Sequence, residues 1–250
     1  MLLCIDCGNT NTVFSVWDGT KFAVTLRSST EHQRTADQYF VWFKTLMDHF
    51  GVPINIDAAI TSSTVPRGAS NPGALSSPTL DSPPLPVQPR VDQGTTVGPD
   101  RLVKTVAGFD RHGGNLIIVD FGTATTFDVV DTDGAYVGGV IAPGVNTSLE
   151  ALHTAAAALP HVDVTRPQSA IGTNTVACMQ SGIYWGYVGL VEGIVQKVRI
   201  ERERPMKVIA TGGLAPLFAQ GTEVFESIED DLTMHGLVLI HRYNRELGTA

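Results

Sequence analysis

The chain contains the same short sequence pattern twice, and this repeat limits its fold more than any other feature. In each copy an apolar stretch ends in Asp-x-Gly, residues with hydroxyl or amide side chains follow, and a second apolar stretch begins. The copies cover residues 3–14 and 117–128. Asp6 aligns with Asp120 at an offset of 114 residues, and the same offset aligns Thr12 with Thr126. A repeat of this length in a chain of 250 residues predicts two similar domains that face each other.

Hydrophobic periodicity predicts an α/β structure in both halves, which we divide into domains at residues 1–112 and 113–250. In the first domain, strands are predicted at residues 2–7, 11–17, 22–28 and 58–63, and helices at 35–50 and 102–107. In the second, strands are predicted at 115–120, 124–131, 135–141, 206–210 and near Val224, and helices at 145–158, 173–198, 214–219 and 232–243. Residues 66–97 are rich in proline and serine, so we expect a loop there with one short edge strand at 85–87.

Composition and charge narrow the possible functions. The formal net charge is −8, which argues against a partner that is nucleic acid or an anionic membrane. No apolar run approaches the ~20 residues of a membrane span, and the N-terminus lacks the pattern of a secretory signal. Three cysteines, an odd number, favour a cytoplasmic protein. Cys4 and Cys7 form a C-x-x-C spacing, but alternation along a strand favours small core residues over a redox or metal pair.

The residues after the first apolar stretch have the chemistry of a phosphate-binding turn. A glycine there lets backbone N–H groups approach phosphate oxygens, which asparagine and threonine side chains can also bind. The carboxylate of Asp6, at the end of the predicted strand, can hold Mg²⁺ directly or through water. One such segment alone is more often an ordinary hairpin. Because a second copy occurs in register, we favour phosphate binding.

The second copy differs from the first in the groups that it offers to a ligand. Thr123 stands where the first copy has Asn9, so this turn presents hydroxyl groups. The carboxylate of Asp120 has two interpretations, because it either binds a ligand or caps the turn as a structural group. Farther along, Thr211-Gly212-Gly213 follows a predicted buried strand. Paired glycines at this place let a base or ribose lie against the backbone.

The sequence Gly98-Pro99-Asp100-Arg101 forms a polar site outside the repeat. Asp100 is either the N-cap of the helix that follows or a base that accepts a proton from a hydroxyl group, and both can hold at once. The guanidinium of Arg101 can fix an anionic substrate. Phosphoryl transfer needs a clamp on the phosphates, a metal ion and an oriented acceptor hydroxyl. The three polar segments together supply these parts.

These motifs resemble those of the type III pantothenate kinases, which belong to the superfamily of acetate kinase, the sugar kinases and actin. The motifs that carry the resemblance are Asp-x-Gly-Asn-Thr at residues 6–10, Gly-x-Asp-Arg at 98–101, Asp-Phe-Gly-Thr-Ala-Thr-Thr at 120–126 and Ala-Thr-Gly-Gly at 210–213. The resemblance covers nearly the whole chain. It implies two duplicated ribonuclease H-like domains, the actin-like ATPase fold, with a cleft between them.

The resemblance also implies an activity, namely ATP-dependent phosphorylation of pantothenate to 4′-phosphopantothenate, the first step of coenzyme A biosynthesis, by a cytoplasmic homodimer. The ATP contacts that it implies are Asp6, Cys7, Gly8, Asn9, Thr10, Asn11, Thr12, Val13 and Thr123. The pantothenate contacts that it implies are Gly98, Pro99, Asp100, Arg101 and Thr175. Asp100 would be the catalytic base. Asp6 would hold Mg²⁺ indirectly, and Asp120 would bind a monovalent cation, K⁺ or NH₄⁺.

The proline-rich residues 66–97 depart from the family pattern and leave two other functions open. Family members usually have a helix and strands in this region, and no residue among 93–97 matches their substrate-contacting tyrosine. One alternative is a nucleotide-binding relative without turnover that has a regulatory role. The other is a kinase of the same superfamily for a different small hydroxyl substrate.

Overall fold

The structure is a computed structural model that describes residues 1–31, 33–65, 85–156 and 158–248. The described residues form two compact units. The first unit comprises Met1–Gln88, Asp92–Ala107 and Leu232–Ala250, and the second comprises Pro89–Val91 and Gly108–Asp231. Most of the proline-rich segment, residues 66–84, lies outside the described residues. Within them, none of the helices combines the length and the apolar composition that a membrane span requires.

The first unit is built on a four-stranded sheet with the strand order β3-β2-β1-β4. Its elements are β1 (Leu2–Cys7), β2 (Asn11–Trp17), β3 (Phe22–Ser29), α1 (Ala36–His49), β4 (Ala58–Ser63) and most of α2 (Pro99–His112). β1 pairs antiparallel with β2 and parallel with β4, so that β1 lies in the interior of the sheet. Because β1 and β4 are parallel, their carboxyl ends meet at one edge of the sheet.

Helix α1 begins at a capping box and packs on one face of this sheet. The Thr35 hydroxyl accepts a hydrogen bond from the Gln38 backbone N–H, and the Gln38 side chain accepts one from the Thr35 N–H. Phe43 and Met47, four residues apart, are buried in one hydrophobic cluster with Phe14 of β2. Two of the apolar residues whose spacing predicted the helix therefore lie on the face that packs on the sheet, whereas Phe40 and Phe50 are exposed.

The second unit repeats this arrangement with a fifth strand. Its elements are β5 (Leu116–Phe121), β6 (Ala124–Val130), β7 (Tyr136–Pro143), α3 (Val145–Ala155), α4 (Thr175–Arg202), β8 (Lys207–Thr211), α5 (Ala215–Phe218) and β9 (Ser227–Ile228). The strand order is β7-β6-β5-β8-β9. Phe218 stacks on Phe121 and Tyr184, with ring centroids 5.0 and 5.5 Å away. This aromatic stack attaches α5 to the end of β5.

The two sheets share strand order and pairing, but their connections differ in length. The turn between β5 and β6 is one residue shorter than that between β1 and β2, and the connection from β6 to β7 is one residue longer than that from β2 to β3. The register therefore pairs Thr12 with Cys7 in the first sheet and Thr125 with Phe121 in the second. By its place in the sheet, Thr125 rather than Thr126 corresponds to Thr12.

Most predicted elements are confirmed, and two short strands are not. The prediction of a strand at 85–87 is wrong, because residues 85–88 form no ladder and the nearest pairing among the described residues is an isolated bridge between Pro89 and Tyr136. Proline lacks the N–H group that a ladder needs. The strand predicted near Val224 lies at Ser227–Ile228 instead, where it pairs with β8.

The last helix, α6 (Leu232–Glu246), belongs to the first unit although it follows the second along the chain. It packs on β1 and β4. Leu237 of α6 is buried in one cluster with Val103 of α2 and Cys4 of β1. The division of the chain into residues 1–112 and 113–250 stays a prediction, and the compact units differ from it chiefly in the assignment of α6.

Candidate active site

The turn between β1 and β2, residues 8–10, will be called the first turn. The Gly8 N–H donates to the Asn11 carbonyl at 3.0 Å. Thr30 supports the turn from the end of β3, since its N–H donates to the Thr10 carbonyl at 2.9 Å and its hydroxyl to the Gly8 carbonyl at 2.7 Å. Asn9 and Thr10 are exposed. The turn is thus anchored through its carbonyl groups while its polar tip faces solvent.

The other predicted ATP contacts of the first unit differ in exposure. Thr12 is buried, and its hydroxyl is 2.9 Å from the Thr30 hydroxyl and 3.4 Å from Cys7 Sγ. Its side chain therefore supports the first turn from the core side. Asp6 is half-buried at the carboxyl end of β1, where it pairs with Val13 across the antiparallel ladder. Asp6 thus stands next to the first turn at a strand end, as predicted.

The structure favours the structural interpretation of the C-x-x-C spacing. Cys4 and Cys7 are both free thiols. Burial raises the pKa of Cys4 to about 12, which keeps it a protonated, unreactive thiol at neutral pH. In the described parts of the chain, no group of three or more His, Cys, Asp or Glu side chains could hold a metal ion.

Asp100 lies at the N-terminus of α2, one residue after the proline that begins the helix. The Gly98 carbonyl accepts from the N–H groups of Arg101 and Leu102, at 3.0 and 3.3 Å, so Gly98 occupies the N-cap position. The interpretation of Asp100 as the N-cap is therefore wrong. A carboxylate at this place is stabilised by the partial positive charge of the helix N-terminus.

A buried lysine adjoins the Asp100 carboxylate. Lys104 Nζ lies 3.1 Å from Asp100 Oδ2, and the side chains of Lys104 and Asp100 are 3% and 26% exposed. The other oxygen of this carboxylate, Asp100 Oδ1, lies 2.8 Å from the point that a Cβ atom on Gly98 would occupy. The carboxylate therefore fits between Lys104 and a residue that has no side chain.

The second turn, residues 122–123, joins β5 to β6 in the second unit. The Gly122 N–H donates to the Ala124 carbonyl at 3.1 Å. Thr123 is exposed, and its carbonyl accepts from the Thr147 hydroxyl at 2.9 Å. Like the first turn, it is anchored through its backbone and presents a polar side chain to solvent.

The end of β8 approaches Asp120 closely. Thr211 is the parallel partner of Asp120, and Gly212, which follows it, has a φ of +93°. A Cβ atom on Gly212 would lie 2.6 Å from the Phe121 carbonyl oxygen and 2.7 Å from Asp120 Oδ1. Only glycine allows both this backbone conformation and this approach.

Thr126 of β6 is the cross-strand partner of Asp120. Side chains that are directly opposite each other in an antiparallel pair lie on the same face of the sheet. Among the described residues no group forms a hydrogen bond with the Thr126 hydroxyl, although its oxygen is buried. A buried hydroxyl without a partner is costly, so this oxygen suits a ligand that the described residues do not supply.

Thr175, the remaining predicted substrate contact, is the first residue of α4. Asn174 caps this helix through a 2.9 Å hydrogen bond from the Ala177 N–H. Thr175 is exposed, and the described residues give its side chain no hydrogen-bond partner. Thr175, Asp120 and Thr123 belong to the second unit, whereas residues 6–13 and 98–101 belong to the first.

Three residues beside the predicted site residues carried no signal that we used in the sequence. Lys104 follows Asp100 at the i,i+4 spacing of helical ion pairs, and that spacing could have identified it. Thr126 was identified only as a member of the repeat. No local pattern identifies Thr30, because 22 residues separate it from the Gly8 carbonyl that it binds.

Residues 2–197 match the family described as type III pantothenate kinase. The chain belongs to the type III pantothenate kinase family. Its relatives include proteins of that name from Cereibacter sphaeroides (strain ATCC 17029 / ATH 2.4.9) and Paracoccus denitrificans (strain Pd 1222), which are 69% and 68% identical to it. These alignments cover 99% and 100% of this chain and 100% of each relative. Membership in the type III pantothenate kinase family therefore extends over the full length.

Solved structures of much lower identity share the fold. The activator of 2-hydroxyisocaproyl-CoA dehydratase from Clostridium difficile with bound ADPNP is 11% identical, with a TM-score of 0.56 over 99% of this chain and 96% of that chain. Component A of (R)-2-hydroxyglutaryl-CoA dehydratase from Acidaminococcus fermentans is 10% identical, with a TM-score of 0.51 over 100% and 99%. The predicted fold class, duplicated α/β domains of the actin-like ATPase fold, is confirmed.

Proposed function

We propose that this type III pantothenate kinase transfers the γ-phosphoryl group of ATP to the 4′-hydroxyl of pantothenate, with Asp100 as the base. The observation that carries the proposal is the family match over residues 2–197 together with full-length identities of up to 69%. The position of Asp100 supports its role, since its carboxylate is partly exposed and stands beside the Gly98 backbone.

In the proposed reaction a bond forms between the pantothenate oxygen and the γ-phosphorus, and the bond from that phosphorus to the bridging oxygen breaks. Asp100 accepts the proton of the attacking hydroxyl, and ADP leaves with the bridging oxygen. Arg101, with Gly98, Pro99 and Thr175, would bind pantothenate. The guanidinium of Arg101 suits the pantothenate carboxylate, which it can bind through two parallel hydrogen bonds.

The first turn would hold the ATP phosphates. Asn9 and Thr10 are exposed at its tip, and the Gly8 and Thr10 carbonyl groups both accept hydrogen bonds from Thr30. Thr123 would make a further ATP contact from the second unit. Asp6 fits the indirect binding of Mg²⁺, since this ion keeps several waters and is held in kinases by one or two carboxylates and the phosphates. Bound Mg²⁺ would neutralise charge on the β- and γ-phosphates.

We propose Asp120 as the site of an activating monovalent cation, K⁺ or NH₄⁺. The half-buried carboxylate stands opposite Thr126, whose buried hydroxyl oxygen has no partner among the described residues. A carboxylate and a hydroxyl are oxygen ligands of the kind that hard cations prefer. The donor set therefore fits the cation that the family resemblance implies.

The homodimer and the cytoplasmic location are also proposals. Exposed apolar residues of the second unit support self-association, among them Ile171, which is 82% exposed just before α4. Sedimentation at several concentrations tests it, and a monomer throughout would contradict it. Three free cysteines, one of them exposed, support a reducing compartment, and cell fractionation tests this location.

The decisive experiment measures phosphopantothenate formation from pantothenate and ATP in the presence of Mg²⁺ and K⁺. We expect turnover by the wild-type chain and a kcat at least ~100-fold lower for Asp100→Asn, because removal of a general base costs 10²–10⁴ in rate. Asp37→Asn is the matched control, since Asp37 occupies the same place in α1 as Asp100 does in α2.

Each outcome of this assay decides between the proposed functions. An unchanged rate for Asp100→Asn would exclude Asp100 as the base. Calorimetric binding of ATP by a folded protein that forms no product would contradict the kinase and favour the regulatory relative. Turnover of another hydroxyl compound in place of pantothenate would favour the related kinase.

A further inference from the structure

We propose that Lys104 is a positioning residue that fixes the Asp100 carboxylate through Oδ2 and leaves Oδ1 as the atom that accepts the proton. The inference rests on the proposed function, in which Asp100 is the base. It assigns a role to a buried lysine, outside the repeated motifs, that binds neither phosphate nor pantothenate in the proposed reaction.

The Lys104 side chain is buried beside Asp100. Lys104 Nζ is 3.1 Å from Asp100 Oδ2, and its side chain is only 3% exposed. Lysine is almost never fully buried unless it is paired, because the removal of its charge from water costs free energy. A buried ammonium group with a carboxylate partner cannot swing into solvent, so its position determines where the carboxylate lies.

A second ion pair in the chain shows how unusual this arrangement is. Lys44 and Asp48 of α1 are also four residues apart, with a distance of 2.9 Å. Their side chains are 54% and 63% exposed, so this is an ordinary surface pair that contributes little. Stabilisation of a helix thus does not require burial of the lysine.

The two carboxylate oxygens of Asp100 have different surroundings. Within the described residues, Asp100 Oδ2 is bonded to Lys104 and no donor reaches Oδ1. Asp100 Oδ1 lies against Gly98, the first residue of the segment proposed to bind pantothenate. The Lys104 ion pair thus holds Oδ2, and the lack of a side chain on Gly98 leaves room for Oδ1 beside that segment.

This geometry predicts that loss of Lys104 would affect catalysis rather than binding. A base must be held within hydrogen-bond distance of the proton that it accepts, and a displacement of 1 Å can cost ~100-fold in rate. Because Lys104 acts through Asp100, we expect a lower kcat with little change in the KM for ATP. For the same reason, its removal should have no further effect once Asp100 has lost its function.

The test compares Lys104→Met, which keeps the length and apolar stem of the side chain, with Lys104→Arg, which keeps the charge and the donors. We expect kcat to fall about tenfold or more in Lys104→Met at an unchanged KM for ATP, and to recover substantially in Lys104→Arg. The double variant Asp100→Asn/Lys104→Met should be no slower than Asp100→Asn alone. Lys44→Met is the surface control and should match the wild type.

Several results would overturn the inference while the proposed function stands. These are a wild-type kcat in folded Lys104→Met, the same loss in Lys104→Arg, or additive losses in the double variant. A wild-type chain that forms no product refutes the proposed function instead. If Lys104→Met does not fold, Lys104→Gln takes its place, because it keeps a neutral donor in the buried site, and the same fall in kcat and the same non-additivity are expected.

Discussion

The close approach of β8 to β5 leads to a prediction about Gly212. Its backbone has a φ of +93°, a conformation that costs about 1–2 kcal/mol for a residue with a side chain. In Gly212→Ala the new Cβ would also lie 2.6 Å from the Phe121 carbonyl oxygen, which is backbone and cannot rotate away. Relief of such a contact adds about 1–3 kcal/mol. We therefore expect a loss of about 2–5 kcal/mol in the free energy of unfolding.

The neighbouring Gly213 is the matched control for this substitution. Its φ is not in the left-handed range, and a Cβ atom there would meet no atom within 4 Å. In a chain of this size 1 kcal/mol changes Tm by about 2–4 °C, so a loss of about 3 kcal/mol lowers Tm by about 6–12 °C in Gly212→Ala. Gly213→Ala should stay within about 2 °C of the wild type.

Thermal unfolding followed by circular dichroism measures both variants. A Tm for Gly212→Ala that equals those of the wild type and of Gly213→Ala would refute the strained approach of these strand ends. Activity gives an independent readout, because the same Cβ would lie 2.7 Å from Asp120 Oδ1. We expect Gly212→Ala to need more K⁺ for half-maximal activity, whereas Gly213→Ala should not.

Two further predictions concern single side chains. Asp18 Oδ1 accepts hydrogen bonds from the N–H groups of Lys21 and Thr20, which lower the pKa of Asp18 from 3.8 to about 2. The stability that these hydrogen bonds give to the turn between β2 and β3 is therefore complete above about pH 4 and is lost as the pH falls through about 2. The difference in Tm between wild type and Asp18→Ala should thus be constant above about pH 5 and shrink in acid. A difference that grows as the pH falls would contradict this sign. Thr126→Val should raise the K⁺ concentration for half-maximal activity several-fold without loss of Tm, because the hydroxyl that it removes has no protein partner among the described residues. Thr125 lies on the opposite face of β6, so Thr125→Val should leave the K⁺ response unchanged. Equal K⁺ responses in both threonine variants would argue against a cation at Asp120.

Local sequence patterns were sufficient to predict most elements of the fold. β1, β2 and β4 have the predicted bounds, and α1 begins one residue after Thr35, its N-cap. These features depend on alternation, helical spacing and capping, which act over a few residues. The repeat extended the prediction to two similar domains, because two similar segments bury their apolar faces in the same way, and the family resemblance supplied the actin-like ATPase fold.

Two features of the site depend on residues that are far apart in the sequence. Thr30 anchors the first turn although it lies 22 residues from its partner Gly8. Gly212 comes against Asp120 only because β5 and β8 pair in parallel. No local pattern specifies either contact, since each depends on how separate strands associate.

The sequence by itself determined where the carboxylates and the polar turns lie along the chain, because strand ends and turns follow from local chemistry. Only the tertiary structure decided how each carboxylate is held. The i,i+4 spacing places Lys104 beside Asp100, but it does not specify that the lysine side chain is only 3% exposed. Burial depends on which distant segments meet, and so the environment of a charged group follows from packing rather than from the spacing of residues.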